Sequence, residues 1–246
     1  MPSLPTSTPP WPRPVHSLPE LIAHRGMPRR HRENTLPGFL AATVAGANGW
    51  ELDVHGTRDG VVVVHHDPVL PSAAGSLAGA AIAEMVWADL AEAVVGADGE
   101  RVPSLDEVLT AAGQRTSVYV EVKGRGIERA VLACLARHRD VTVAVHSFDH
   151  RIARCVAEAS PDTPVGILTD SYLIDPLHAM RGAGARDYWP HSAMVDRALV
   201  GAIHAEGGRV VVWTVNDPGQ ARWLADLGVD AICSDVVDEL RAVLSG

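Results

Sequence analysis

Short apolar runs recur along the chain, and each gives way to a stretch with apolar residues at i, i+3, i+4 spacing. The runs are LIAH (21–24), WELDV (50–54), VYVEV (118–122), VTVAV (141–145), VGIL (165–168), RDYW (186–189), VVVWTV (210–215) and DAICS (230–234). They are apolar on both faces, as parallel strands covered on both sides tend to be. Stretches such as LPGFLAATVAGA (36–47), SLDEVLTAAG (104–113) and GQARWLADLG (219–228) carry the helical period. Eight β→α units in one chain predict an α/β fold, a closed (β/α)8 TIM barrel in a single domain. A ninth run, VVVVHH (61–66), follows the turn-forming TRDG (57–60) and is expected as a hairpin partner of the second strand. No GxGxxG follows the first run and there is no P-loop, which argues against an open doubly wound sheet. Residues 71–100 are Ala/Gly-rich with weak periodicity and are expected as loop with one helix.

The polar exceptions to this pattern fall at the ends of the runs. His24 and Arg25 end the first. Glu51 and Asp53 lie two apart on the second, so strand alternation points both to one face, and Glu121 and Lys123 repeat that spacing on the third. Such groups cost several kcal/mol to bury unpaired, and the C-terminal strand ends are where barrels of this class carry their sites. Three converging carboxylates repel each other unless a cation lies between them. An all-oxygen set suits Mg²⁺ or Ca²⁺ better than Zn²⁺. Any one pair alone would read as a salt bridge to Arg25 or Lys123; three strands repeating the arrangement favour the metal. His24 and His66 supply groups that titrate near neutrality, one to take a proton and one to give it. His16, His138, His150, His178 and His204 are expected to be ordinary surface or core residues, whereas His55, His146 and His191 fall near strand ends and could line the pocket.

Composition narrows the partners. The 246 residues are 47% apolar and 4% aromatic, ample for an aliphatic core, and a formal charge of −9 argues against nucleic acid, which needs a basic footprint. No apolar run approaches the roughly 20 residues of a membrane helix, so no membrane insertion is expected. Cys134, Cys155 and Cys233 are dispersed without CxxC spacing and are expected as small buried hydrophobes in a reducing interior. Residues 1–19 are proline-rich with no apolar signal core, expected as an extended or disordered arm on a cytoplasmic protein, with the barrel over 20–246. The RRHR run (29–32), in the loop after the first strand, is either a solvated patch or a positive mouth that steers an anion.

In chain order HRG, ENT nine residues after the histidine, ELDV, T-x-DG, VV-HD, PSLDEVL, E-x-K, SFD and WTVN resemble the glycerophosphodiester phosphodiesterase family, over residues 21 to about 237. The resemblance implies a (β/α)8 barrel that hydrolyses small-molecule glycerophosphodiesters to glycerol 3-phosphate and an alcohol such as choline or ethanolamine. It implies His24 and His66 as the acid–base pair, Arg25 on the phosphate, and Glu51, Asp53 and Glu121 as ligands of a divalent cation. It further implies Lys123 beside the phosphoryl oxygens and the Glu33–Asn34 pair in support, Glu33 orienting Arg25 or His24. Trp213 would wall the pocket against the glycerol, its alternative being an ordinary core tryptophan. Which histidine is the acid stays open, as does attack by water or by the glycerol 2-hydroxyl. The family carries an arginine and threonines after its H-D pair, where this chain has PVLPSAAGSLAG (68–79). His66 is chosen over His65 because it directly precedes Asp67. Competing readings are a lysophospholipase D or sphingomyelinase D-like enzyme, which needs an apolar groove or membrane-facing surface, and a silent phosphodiester-binding barrel. The second would be favoured by loss of a histidine or metal carboxylate, and none is lost.

Overall fold

The structure, a computed structural model, describes residues 18–245; residues 1–17, most of the proline-rich segment, and residue 246 lie outside them. Strand β1 (Glu20–His24) is followed by α1 (Leu36–Val44), β2 (Gly49–Gly56), β3 (Val62–Val64), α2 (Trp87–Leu90) and α3 (Leu105–Ala112). Strict alternation follows through β4 (Ser117–Val122), α4 (Glu128–Leu135), β5 (Val143–Ser147), α5 (His150–Ala159), β6 (Val165–Thr169) and α6 (Pro176–Ala183). The chain then runs through β7 (Asp187–Pro190), α7 (Arg197–Ala205), β8 (Arg209–Val212), α8 (Pro218–Leu227), β9 (Ala231–Ser234) and α9 (Val237–Leu244). Parallel pairings run β1–β2–β4–β5–β6–β7–β8–β9 and return to β1, closing an eight-stranded barrel. The fold is the predicted TIM barrel. Strand β3 stands outside the ring, antiparallel to the end of β2 with Val54 opposite Val64.

Strand alternation divides the core into two layers. Trp50, Leu52 and Val54 on β2 and Val118, Val120 and Val122 on β4 point outward and pack under the helices. Ile22, Tyr119, Ala144, Leu168, Trp189 and Val211 point inward and fill the barrel. That is why the runs look apolar on both faces. The helices start where the sequence supplies caps. Asp149, Asp175, Asp196 and Asp217 each accept a backbone N–H in the first turn of the helix that follows, and Ser104 and Glu107 form a reciprocal capping box on α3.

Two segments differ in extent from the sequence pattern. The continuous strand in the VVVWTV run ends at Val212; beyond it Trp213 makes a single bridge to His191, and the Val215 N–H donates to the Cys233 carbonyl (3.0 Å). Residues 71–100 contain two 3₁₀ turns (Ser72–Leu77 and Ile82–Glu84) beside the single short helix α2. They cover β3 with a small core of their own built on Val63, Leu70, Ile82 and Leu90. At the N-terminal end of the barrel a charged cluster replaces the apolar filling. Glu20 accepts from Tyr119 Oη (2.8 Å) and pairs with Arg209 (3.1 Å), while buried Asp187 pairs with Arg186 (Nε–Oδ1 2.6 Å). Among the described residues no helix is long and apolar enough to cross a membrane.

Candidate active site

The site begins at the last residue of β1. After His24 the backbone turns through Arg25 (φ +53°) and Gly26 (φ +88°). A Cβ at Gly26 would lie 2.8 Å from the backbone carbon of Gly38, so the turn admits only glycine. Asn34 is also left-handed (φ +57°), an unusual conformation for a side-chain-bearing residue, held here by its surroundings. Its backbone N–H donates to the Arg25 carbonyl (3.0 Å) and its side chain brackets Asp53. Nδ2 donates to Asp53 Oδ2 (2.8 Å), and Oδ1 accepts from the Asp53 N–H (3.3 Å). Arg25 is fixed by Glu33 through Nη1 (3.2 Å) and by Asp53 Oδ2 through Nε (3.0 Å).

Both histidines expected to move protons are gripped in the same way. His24 Nδ1 lies 2.7 Å from Asp235 Oδ1; Asp235 Oδ2 in turn accepts from Asn216 Nδ2 (2.7 Å). His66 Nδ1 lies 2.8 Å from Asp67 Oδ1. A carboxylate on Nδ1 fixes the tautomer and leaves Nε2 for the cleft. Burial works against a charged His24, but the Asp235 hydrogen bond and the Glu51 charge outweigh it and hold the pKa above the ordinary value. Asp235 and Asn216 are missing from the residues singled out in the sequence. His65 is buried, with Nδ1 on the Asp67 carbonyl (2.9 Å), and lines no part of the cleft; His66 does.

The carboxylates come together through sheet register. Asp53 on β2, Glu121 on β4 and His146 on β5 stand side by side, and Glu51 lies one pleat below, opposite His24. Glu51, Asp53 and Glu121 are all buried. Lys123 Nζ sits 3.4 Å from both Asp53 Oδ1 and Glu121 Oε1. Burial, with the charge of Asp53 added, pushes the Glu121 carboxyl up to about 8. Burial also raises Asp53, but Arg25 and Lys123 overcome it and hold that carboxyl below the usual range. Asp53 Oδ1 is buried with no hydrogen-bond partner. Three buried carboxylates against the two positive groups Arg25 and Lys123 leave an excess of negative charge, which fits a divalent cation. Donor atoms of Glu51, Glu121 and His146 all lie within 4.8 Å of one another. Asp53 lies beneath Arg25 and Lys123 and does not line the cleft.

That cleft opens at the C-terminal strand ends. Its polar wall is His24, Arg25, Glu51, His66, Glu121 and Lys123; the opposite wall is Phe148, Leu168, Trp189 and Trp213. The Trp213 indole donates to the Trp189 carbonyl (3.0 Å) and meets Phe148 edge-on (5.3 Å). His191 also touches Trp213 edge-on, and His55 Nε2 holds the His66 carbonyl (3.0 Å). His138, His150 and His204 are occupied by Asp106, the Leu168 carbonyl and Asp230. In the RRHR run, Arg30 pairs with Asp238 on the surface.

The family model described as "Glycerophosphoryl diester phosphodiesterase family" matches residues 24–239. A glycerophosphodiester phosphodiesterase of Bacillus altitudinis is 31% identical over 238 residues, 91% of this chain and 96% of that protein. One from Caldanaerobacter subterraneus is 30% identical over 227 residues, 87% of this chain and 93% of its own. An Oleispira antarctica phosphodiesterase, solved with its product sn-glycerol-3-phosphate, superposes with a TM-score of 0.85 at 26% identity, covering 93% of this chain and 98% of that one. A match that begins at His24 and runs through Asp235 takes in every element of the cleft, and the chain belongs to the glycerophosphoryl diester phosphodiesterase family, a family of phosphoric diester hydrolases.

Proposed function

We propose that this protein hydrolyses small glycerophosphodiesters to glycerol 3-phosphate and an alcohol, with a divalent cation held by Glu51, Asp53 and Glu121. His24 and His66 move the protons, and residues 20–246 act as one catalytic unit. The observation that carries this reading is the pair of imidazoles, each held by a carboxylate on Nδ1, facing one cleft over three buried carboxylates. A phosphodiester resists attack because its charge repels nucleophiles. When bound, the cation supplies positive charge to the non-bridging oxygens. Arg25, fixed through Nε and Nη1, keeps further N–H donors for the same oxygens, and Lys123 adds a second positive group. One imidazole takes the proton of the attacking hydroxyl; the other delivers a proton to the departing alkoxide. The Phe148–Trp213 wall offers an apolar face to the glycerol carbons.

Metal dependence is tested by assaying glycerophosphocholine hydrolysis after EDTA treatment and on titrating metal back. The activity is expected to vanish and return, and Glu51→Gln is expected to need at least about tenfold more metal for half-activation. Full activity in EDTA would refute the metal role. Asp235→Asn keeps the size of the side chain but removes the charge that sets His24. We expect kcat to fall about 10–10²-fold, part of the 10²–10⁴ that acid–base catalysis supplies, with a smaller change in KM. The limb of the pH–rate profile governed by His24 should move to lower pH, because its pKa is held up by Asp235. An unchanged profile would mean that Asp235 does not act through His24.

A further inference from the structure

The carboxylate cluster carries a nitrogen donor. His146 on β5 is 1% exposed, and its ring lies flat against Trp189, with centroids 4.2 Å apart and planes 12° from parallel. Its Nδ1 is buried without a hydrogen-bond partner. Its Nε2 stands 3.7 Å from Glu51 Oε1, beyond hydrogen-bond reach. A buried imidazole without hydrogen bonds is costly, and an apolar side chain would fill the same space without that cost. The separation that is too long for a hydrogen bond suits two donors on one ion. Ligands about 2.0–2.2 Å from a common centre stand roughly 3–4 Å apart. Glu51, Glu121 and His146 each offer such an atom on one side of the cleft.

We propose that His146 Nε2 is a ligand of the catalytic cation alongside Glu51 and Glu121. The site then prefers ions that accept nitrogen, Mn²⁺, Co²⁺ or Zn²⁺, over the Mg²⁺ or Ca²⁺ that an all-oxygen set would take. This inference rests on the metal-dependent reading above. Imidazole suits the later divalent ions, whereas Mg²⁺ and Ca²⁺ take oxygen. A metal-bound histidine ordinarily has its ring held by an acceptor on the other nitrogen. Here the Trp189 stack sets the ring plane instead, and the register Glu121↔His146 brings it beside the carboxylate.

Pulsed EPR of the full-length protein loaded with Mn²⁺ reads the ligand directly, since a bound imidazole imprints ¹⁴N modulation on the signal. The wild type is expected to show that modulation; His146→Gln should still bind Mn²⁺ but lose it. Co²⁺ affinity in His146→Gln is expected to fall at least about tenfold, with Mg²⁺ affinity changed by less than about threefold. His146→Asn gives the same reading if the glutamine variant does not fold, and His24→Gln should retain the modulation. Bound Mn²⁺ without ¹⁴N coupling, or coupling that persists in His146→Gln or disappears in His24→Gln, would overturn the His146 assignment alone. Failure of the wild type to bind Mn²⁺ at all would overturn it together with the metal-dependent reading.

Discussion

Alanine at His24 or at His66 is expected to lower kcat by about 10²–10⁴-fold while the barrel stays folded. Neither ring belongs to the apolar layers, and both side chains line the cleft and remain partly accessible. Removing His24 leaves the Asp235 carboxylate accepting from Asn216 Nδ2, with the Asp235 backbone N–H still on Asn216 Oδ1, so the carboxylate does not lose its last partner. Removing His66 frees Asp67, which already faces water. KM should change less than kcat, because the proposed phosphate-binding groups, Arg25 and Lys123, are left in place. The double variant should be little worse than the more damaged single one, since an acid and a base that act in one displacement are not additive. Steady-state kinetics alongside thermal unfolding checks this. A variant with wild-type kcat would remove that histidine from proton transfer.

Asp187→Asn is expected to destabilise the fold by about 3–5 kcal/mol, the usual effect of breaking a buried ion pair from one side. Asp187 starts β7 at the closed end of the barrel with no exposed surface, facing Arg186 and feeling the charge of Arg209. Burial pushes its carboxyl up, but the two guanidinium groups outweigh this and hold the pKa below the ordinary value. The amide would take from Arg209, which also pairs with Glu20, the nearby charge of one carboxylate. For a chain of this length the loss corresponds to a Tm lower by about 6–20 °C. Because the folded-state pKa is depressed, the stabilisation is fully present above the unfolded value of about 3.9 and is lost as pH falls through the folded one. The gap between wild type and variant should therefore be constant above about pH 5 and shrink below about pH 4. Calorimetry across that range checks both the size and the sign. An equal Tm at neutral pH would show that the cluster at the barrel floor contributes nothing net.

The barrel was legible in the chain because each strand is buried on both sides, so VYVEV or VGIL announces itself without help from distant residues. The charged ends of those runs were legible for the same reason: Glu51, Asp53 and Glu121 interrupt a pattern that is otherwise apolar. Partners brought together by closure of the ring carry no such signal. Asp235 grips His24 from 211 residues away, and in sequence it is only an acidic residue opening a helix. Asp187 and Arg209 look like ordinary polar residues at strand starts, although both point into the barrel. His146 lies at a strand end, which marked it as a pocket candidate, but its place beside Glu121 is a matter of register across β4 and β5. In residues 71–100 the apolar positions that fill the small core, Ile82, Met85 and Leu90 among them, follow no period, so only the absence of long elements could be read.

The most direct test of the account is release of glycerol 3-phosphate from glycerophosphocholine by the purified protein with added metal, beside the same protein in EDTA and beside His24→Ala and His66→Ala. Metal-dependent appearance of glycerol 3-phosphate and choline in equal amounts, lost in EDTA and in both variants, is the expected result. Release that survives loss of either histidine, or none from the folded, metal-loaded wild type, would contradict it.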